Sequence, residues 1–202
     1  LSYDADAARQ RVAELPAVES VSVRKVYPGR LEVAITEKPP VARWRIDGVT
    51  FLIDAAGEQI GVDRGAYADL PLVVGDGAGD DALVMIRALE RYEALTGSLA
   101  AISRIGDRRW DLIYYTGLRV QLPEVGVARA LADLATYQQR YQLLDRDVEI
   151  IDLRVPGFVA LKPGELAKKQ LAEAAKQKKK KKPAATHVVD PAYETPAEQH
   201  GD

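Results

Sequence analysis

The sequence contains no cysteine and only two histidines, His187 and His200, both in a polar stretch near its end. Thiol catalysis, disulfides, Cys or His zinc sites and a histidine-relayed hydrolase triad are thereby excluded from the body of the chain. The missing cysteine leaves the redox compartment open, because an oxidising environment permits disulfides without requiring them. Long apolar runs are missing too. No window reaches the roughly 18 to 20 apolar residues that span a bilayer, and no charged-apolar-small leader opens the chain. The chain reads as soluble, and its start at Leu1 reads as that of a fragment with any membrane anchor upstream.

What is present is a chain of 202 residues, 47% hydrophobic, able to bury a sizeable core. The net charge of -2 hides three regions: residues 1–164 carry 20 Lys plus Arg against 24 Asp plus Glu, residues 165–182 carry 8 against 2, and residues 183–202 carry none against 4. The mildly acidic body has no large basic face to neutralise phosphates, which argues against nucleic-acid binding.

Asp4 is placed to cap a helix carrying Ala8, Val12 and Leu15, which Pro16 stops. Alternation of Val21 and Val23, then of Leu31, Val33 and Ile35, predicts two strands joined by the turn Tyr27-Pro28-Gly29-Arg30. Pro39-Pro40 marks a domain boundary, since proline cannot donate to a ladder. A strand-rich unit then starts near Trp44. Val49 to Ile53 and Gln59-Ile60 form a hairpin around Asp54-Ala55-Ala56-Gly57. Gly75 to Asp81 reads as a flexible link ending in acidic caps for one helix carrying Leu83, Ile86, Leu89 and Leu95. Strands follow at Ala101 to Ile105, Trp110 to Tyr115 and Leu118 to Leu122, then a helix from Val127 to Leu144 and a strand from Val148 to Val155. A turn at Pro156-Gly157 leads to a last strand from Phe158 to Leu161. The expected fold class is α+β: a small helix-strand-strand module over 1–42, a mixed β-sheet domain with two longer helices over 43–163, and a Lys-rich tail over 164–202 that opens with a helix-prone Lys and Ala stretch and reads as disordered.

Three sharper readings have plainer competitors. Asp107, Asp111 and Asp152 could cluster as carboxylates for glycoside cleavage, but their neighbours Arg104, Arg108, Arg109 and Arg154 favour ion pairing. The glycine-rich stretch at Gly75 lacks the lysine of a phosphate loop and the spacing of a calcium loop. The run Lys178 to Lys182 fits a solubilising segment better than a nucleic-acid site, with loose attraction to anionic polymers or lipid as an alternative. Trp44 and Trp110 read as core or junction aromatics.

Leu15-Pro16-Ala17-Val18, Pro28-Gly29-Arg30-Leu31, Glu37-Lys38-Pro39-Pro40 and Trp44 are followed by Arg108-Arg109-Trp110-Asp111-Leu112, Gly117, Val120-Gln121-Leu122-Pro123 and Ile151-Asp152-Leu153-Arg154. In order and spacing, from about Asp4 to Leu161, they resemble the FtsQ/DivIB family of bacterial cell-division proteins. That resemblance implies the back end of a POTRA module, lacking its first strand and helix, followed by the family's β domain. It implies a single-pass inner-membrane protein anchored by an upstream helix, with this region in the periplasm at the septum. No reaction, cofactor or metal is implied. The implied partners are FtsB-like and FtsL-like proteins, which bear on septal wall synthesis, and other divisome proteins through the POTRA module. The partner-binding positions carried over are Arg108, Arg109, Asp152, Leu153, Arg154, Phe158, Val159, Ala160 and Leu161, on the open edge beside the last strand. The alternative is a POTRA-bearing protein that handles polypeptides in outer-membrane assembly or secretion.

Overall fold

The computed structural model describes residues 4–181. Helix α1 (Ala5–Ala13) starts where expected: the Asp4 carboxylate accepts the N–H groups of Asp6 at 3.0 Å and Ala7 at 3.2 Å, meeting two donors the first turn cannot satisfy internally. Strands β1 (Val18–Val26) and β2 (Arg30–Glu37) pair antiparallel as a separate two-stranded sheet. Val33 and Ile35 on β2 stay about half exposed.

The Glu37-Lys38-Pro39-Pro40 crossing is tied down by one cation. Lys38 Nζ lies 3.0 Å from Asp54 Oδ2 and 3.1 Å from Glu58 Oε2. Asp54 is buried, and its Oδ1 accepts the N–H groups of Ala56 and Glu58. Burial pushes this carboxyl up, but the Lys38 hydrogen bond and the two backbone donors outweigh that and hold it below its ordinary value. The same Asp thus shapes the turn and anchors the linker.

Nine strands make the main sheet: β3 (Ala42–Ile46), β4 (Val49–Ile53), β5 (Gln59–Val62), β6 (Leu72–Val74), β7 (Leu99–Ile105), β8 (Arg109–Tyr114), β9 (Arg119–Gln121), β10 (Val148–Asp152) and β11 (Ala160–Pro163). Their spatial order is β11-β10-β9-β8-β7-β6-β3-β4-β5. The pairs β3/β6, β6/β7 and β9/β10 are parallel and the others antiparallel, so the sheet is mixed.

Register builds the core. Phe51, Trp44, Val73, Ile102, Leu112, Val120, Ile151 and Leu161 are successive cross-strand partners, one row running across the sheet on a single face. Val73, Leu112, Val120 and Ile151 are fully buried, whereas Leu161, the last member, is 48% exposed. Helices α2 (Ala78–Leu89) and α4 (Val127–Tyr141) bring Ala82, Met85, Leu89, Leu131 and Leu134 into this same core. The next row, Thr50, Arg45, Val74, Ser103, Asp111, Gln121, Asp152 and Ala160, lies on the opposite face and is mainly polar.

Several expectations are corrected. The helix expected to carry Leu83 through Leu95 is two: α2 ends at Leu89, and the fully buried Leu95 sits on a one-turn helix, α3 (Glu93–Thr96). Among the described side chains no acid caps α2. Gly77 takes the cap position at φ +63°, and Asp81 instead pairs with Arg104 at 2.7 Å. Helix α4 stops at Tyr141, because Gln142 turns left-handed at φ +49° and Leu143–Asp145 form a 3₁₀ turn. There the Gln138 amide accepts the Leu144 N–H and donates to Asp145, closing the corner. Strand β6 was not foreseen.

The helix-prone start of the tail is helical. Glu165–Lys181 form a helix, α5, as its Ala, Leu, Glu, Gln and Lys residues favour by propensity alone. The rest of the tail, including Lys182, lies outside the described residues.

Candidate functional site

The last strand is displaced by two residues from its expected place, spanning Ala160–Pro163 and not Phe158–Leu161. The turn after β10 takes more chain than Pro156-Gly157 alone: the Phe158 N–H donates to Val155 O at 3.1 Å, with Gly157 at φ +78°. Phe158 and Val159 therefore stand before the ladder. Ala160 and Leu161 pair with Asp152 and Ile151.

β11 pairs on one side only. Gly164 N–H donates to Asp147 O at 2.9 Å, toward β10. Alternation along an antiparallel strand then turns Lys162 and Ala160 toward β10 and leaves the Leu161 N–H and C=O pointing outward. Pro163 falls on the outward set, where a residue without an N–H costs no ladder bond.

Apolar hollows flank this edge. A groove of about 70 Å³ is lined by Val125, Ala130, Tyr137, Leu153, Val155 and Phe158, among others. A second hollow of about 390 Å³ runs on between Tyr137, Tyr141, Leu143, Arg146, Val159 and Leu161. Phe158 is 73% exposed. Leu153 is buried, and its N–H is held by Gln121 O at 2.9 Å, so it floors the groove from below.

Arginines border the groove on the other side. Arg109 and Arg154 face a hollow of about 380 Å³ with Pro123, Glu124, Val125 and Pro156. Arg154 grips Asp152 with both ends of its guanidinium, Nε to Oδ1 at 2.9 Å and Nη2 to Oδ2 at 2.7 Å, and its own N–H adds a third bond to Oδ1. These bonds hold the Asp152 carboxyl below its ordinary value and raise the Arg154 guanidinium. Arg108 is largely exposed, 3.8 Å from Glu124.

Asp111 is the unusual member. Its side chain is fully buried although it lies on the face of the sheet opposite the apolar row, with Arg109 Nε 3.5 Å from Oδ1 and Arg119 Nη1 3.8 Å from Oδ2. Neither contact has hydrogen-bond geometry, so both carboxylate oxygens and the Arg109 Nε lack such a partner. Burial pushes the carboxyl up, and the charges of Arg109 and Arg119 offset only part of that. A raised folded-state value means that stability is lost as pH rises through it. Asp111→Asn is therefore expected to gain stability relative to the unmodified chain as the pH is raised from about 4 to neutral. Thermal unfolding at both pH values measures this.

Asp107, the third acid considered for glycoside cleavage, sits in the β7–β8 turn 3.5 Å from Arg104. Asp111 and Asp152 lie on strands separated by β9, each engaged by arginine. The ion-pair reading thus describes these acids. Arg119 was missed as a member of the cluster, although its alternation with Val120 in the strand after Gly117 was the available signal. Trp110 is buried under the Arg104 guanidinium, and the Trp44 indole N–H donates to Gly75 O at 2.9 Å, both structural roles.

With this geometry in place, comparison with known proteins assigns the chain. The family described as "Cell division protein FtsQ/DivIB, C-terminal" matches residues 42–154, and "POTRA domain, FtsQ-type" matches residues 1–38. The chain belongs to the FtsQ/DivIB family. It is 37% identical over 175 residues to the cell division protein FtsQ of Rhizobium meliloti, covering 85% of this chain and 57% of the relative. It is 38% identical over 156 residues to that of Bartonella bacilliformis, covering 77% and 51%. With FtsQ of Rhizobium radiobacter it shares 35% identity over 185 residues, 90% of this chain and 88% of the relative. The chain thus spans a little over half the length of the first two relatives. A solved structure of the major extracytoplasmic domain of DivIB from Geobacillus stearothermophilus aligns over 54% of this chain and 92% of its own, at 20% identity and a TM-score of 0.37. FtsQ/DivIB is a family of cell-division proteins and not a known enzyme family. No helix among the described residues is long and apolar enough to cross a membrane.

Proposed function

We propose that this chain is the periplasmic part of a non-enzymatic divisome scaffold, anchored in the inner membrane by a helix upstream, that binds an FtsB-like and FtsL-like pair at the septum. The partner chain adds a strand to the free edge of β11. Its acidic side chains meet Arg108, Arg109 and Arg154, and its apolar side chains enter the groove beside Phe158, Val159 and Leu161. The POTRA module receives other division proteins.

The observation that carries this reading is the core row ending in Leu161. An apolar row buried across the sheet stops at a half-exposed leucine whose backbone groups face outward. A further strand laid there would continue both the ladder and the row, which is the geometry of strand addition. Arginine beside a largely exposed aromatic is also the composition of a binding hot spot.

Arg154→Glu and Phe158→Ala change exposed side chains outside the core. Each is expected to weaken binding of the partner's periplasmic segment by about tenfold or more, with the unfolding midpoint unchanged for Phe158→Ala and stability lowered by no more than about 1 kcal/mol for Arg154→Glu, which loses its guanidinium bonds to Asp152. Calorimetric titration and thermal unfolding of both variants test this. Unaltered affinity in both would remove the site from this edge.

A further inference from the structure

Helix α5 belongs to a separate unit of the chain that begins at Glu165, and its residue pattern is uneven around the axis. At the helical repeat of about 100° per residue, Leu166, Gln170, Ala174, Ala167, Leu171 and Ala175 occupy one half of the cylinder, with no charge among them as far as Lys176. The other half carries Glu165, Lys168, Lys169, Glu173 and Lys176. Leu166 and Leu171 are 66% and 61% exposed. Over residues 165–182 there are eight lysines against two glutamates, and Lys178 to Lys182 are consecutive. A helix of high propensity can be solubilised by its lysines alone, but such a helix has no use for an uncharged arc with two leucines turned to solvent.

We propose that α5 is an interfacial helix that lies on an anionic phospholipid surface, its leucine and alanine arc entering the acyl boundary and its lysines meeting lipid phosphates. Lysine stems reach sideways and upward from such an arc, keeping each ammonium among headgroups while their methylenes stay apolar. Attraction to the surface rises with each lysine held near it and falls with salt. Phosphate chemistry alone would equally describe nucleic acid, but a nucleic-acid backbone offers nothing to the apolar arc. The two halves together select a membrane.

The test is flotation of the whole chain with vesicles of phosphatidylcholine alone and of phosphatidylcholine mixed with phosphatidylglycerol, at low and at physiological salt. Binding is expected only to the mixed vesicles and stronger at low salt. Lys169→Gln/Lys176→Gln/Lys179→Gln should reduce it by about tenfold or more, and Leu166→Ser/Leu171→Ser by several-fold. Absence of binding, equal binding to both vesicles, or undiminished binding by either variant would overturn the proposal. So would tighter binding to a duplex DNA probe than to the mixed vesicles at the same salt.

Discussion

Replacing Gly75 by alanine is expected to lower the unfolding midpoint by roughly 10 °C, a loss of about 3–4 kcal/mol. Gly75 ends β6 at φ +114°, where a side chain is strained, and a Cβ built there would lie 2.6 Å from Arg104 O. That oxygen is backbone of the neighbouring strand β7 and cannot swing away. Relief would require β6 to part from β7, and Gly75 is held from other sides as well: its N–H donates to Arg45 O at 3.1 Å, and its carbonyl accepts the Trp44 indole N–H at 2.9 Å. A shift large enough to admit the methyl group therefore strains strand β3 and the start of α2 together. Gly61→Ala on β5 is the control. Its φ is not in the left-handed region and its Cβ would meet nothing within 4 Å, so its midpoint should stay within about 1 kcal/mol of the unmodified chain. Circular dichroism melts of the two variants make the comparison, and equal midpoints would mean that the β6–β7 junction yields easily.

The second large effect concerns the edge of β11. Leu161→Pro is expected to abolish partner binding while leaving the fold in place. Proline, with φ fixed near about −65°, is tolerated in an edge strand and lacks an N–H. At position 161 the missing donor is one that faces away from β10, so no ladder bond within the sheet is lost. Strand β11 already tolerates Pro163 on the same outward set. The residue before proline is pushed to extended backbone, which Ala160 has as a strand residue. What disappears is the donor a docking strand would use, together with the leucine that ends the core row. Leu161→Ala separates the two: it keeps the donor and trims the side chain, and should weaken binding only partly. Lys162→Pro removes a donor directed at β10 and should destabilise β11 itself.

Much of this architecture was legible in local pattern. Asp4 as a cap, the Asp54 to Gly57 turn, the Pro39-Pro40 crossing and the strands before and after Gly117 all declare themselves through side chains acting on their own backbone. Strand β6 did not, because three residues between Pro71 and Gly75 are too few for alternation and their parallel partners, β3 and β7, come from distant chain. The capping of α2 by Gly77 was hidden by the acids beside it, since Asp81 finds Arg104 only after β7 is in place. The register of β11 depended on how many residues the Pro156-Gly157 turn consumes, which no spacing rule supplies. Arg109, Arg154 and Phe158 were named as site positions from the motif order. Alternation with Val120 puts Arg119 on the polar face of its strand, but that it joins them around Asp111 follows from the cross-strand register of β8 and β9.

The measurement closest to the central claim is a titration of this chain and of its Leu161→Pro variant with the periplasmic segment of the FtsB-like protein from the same organism, each chain first shown by its melt to be folded. Saturable binding by the unmodified chain and none by the folded variant is the predicted result. Equal binding by both would contradict strand addition at β11, and binding by neither would favour a polypeptide-handling role instead.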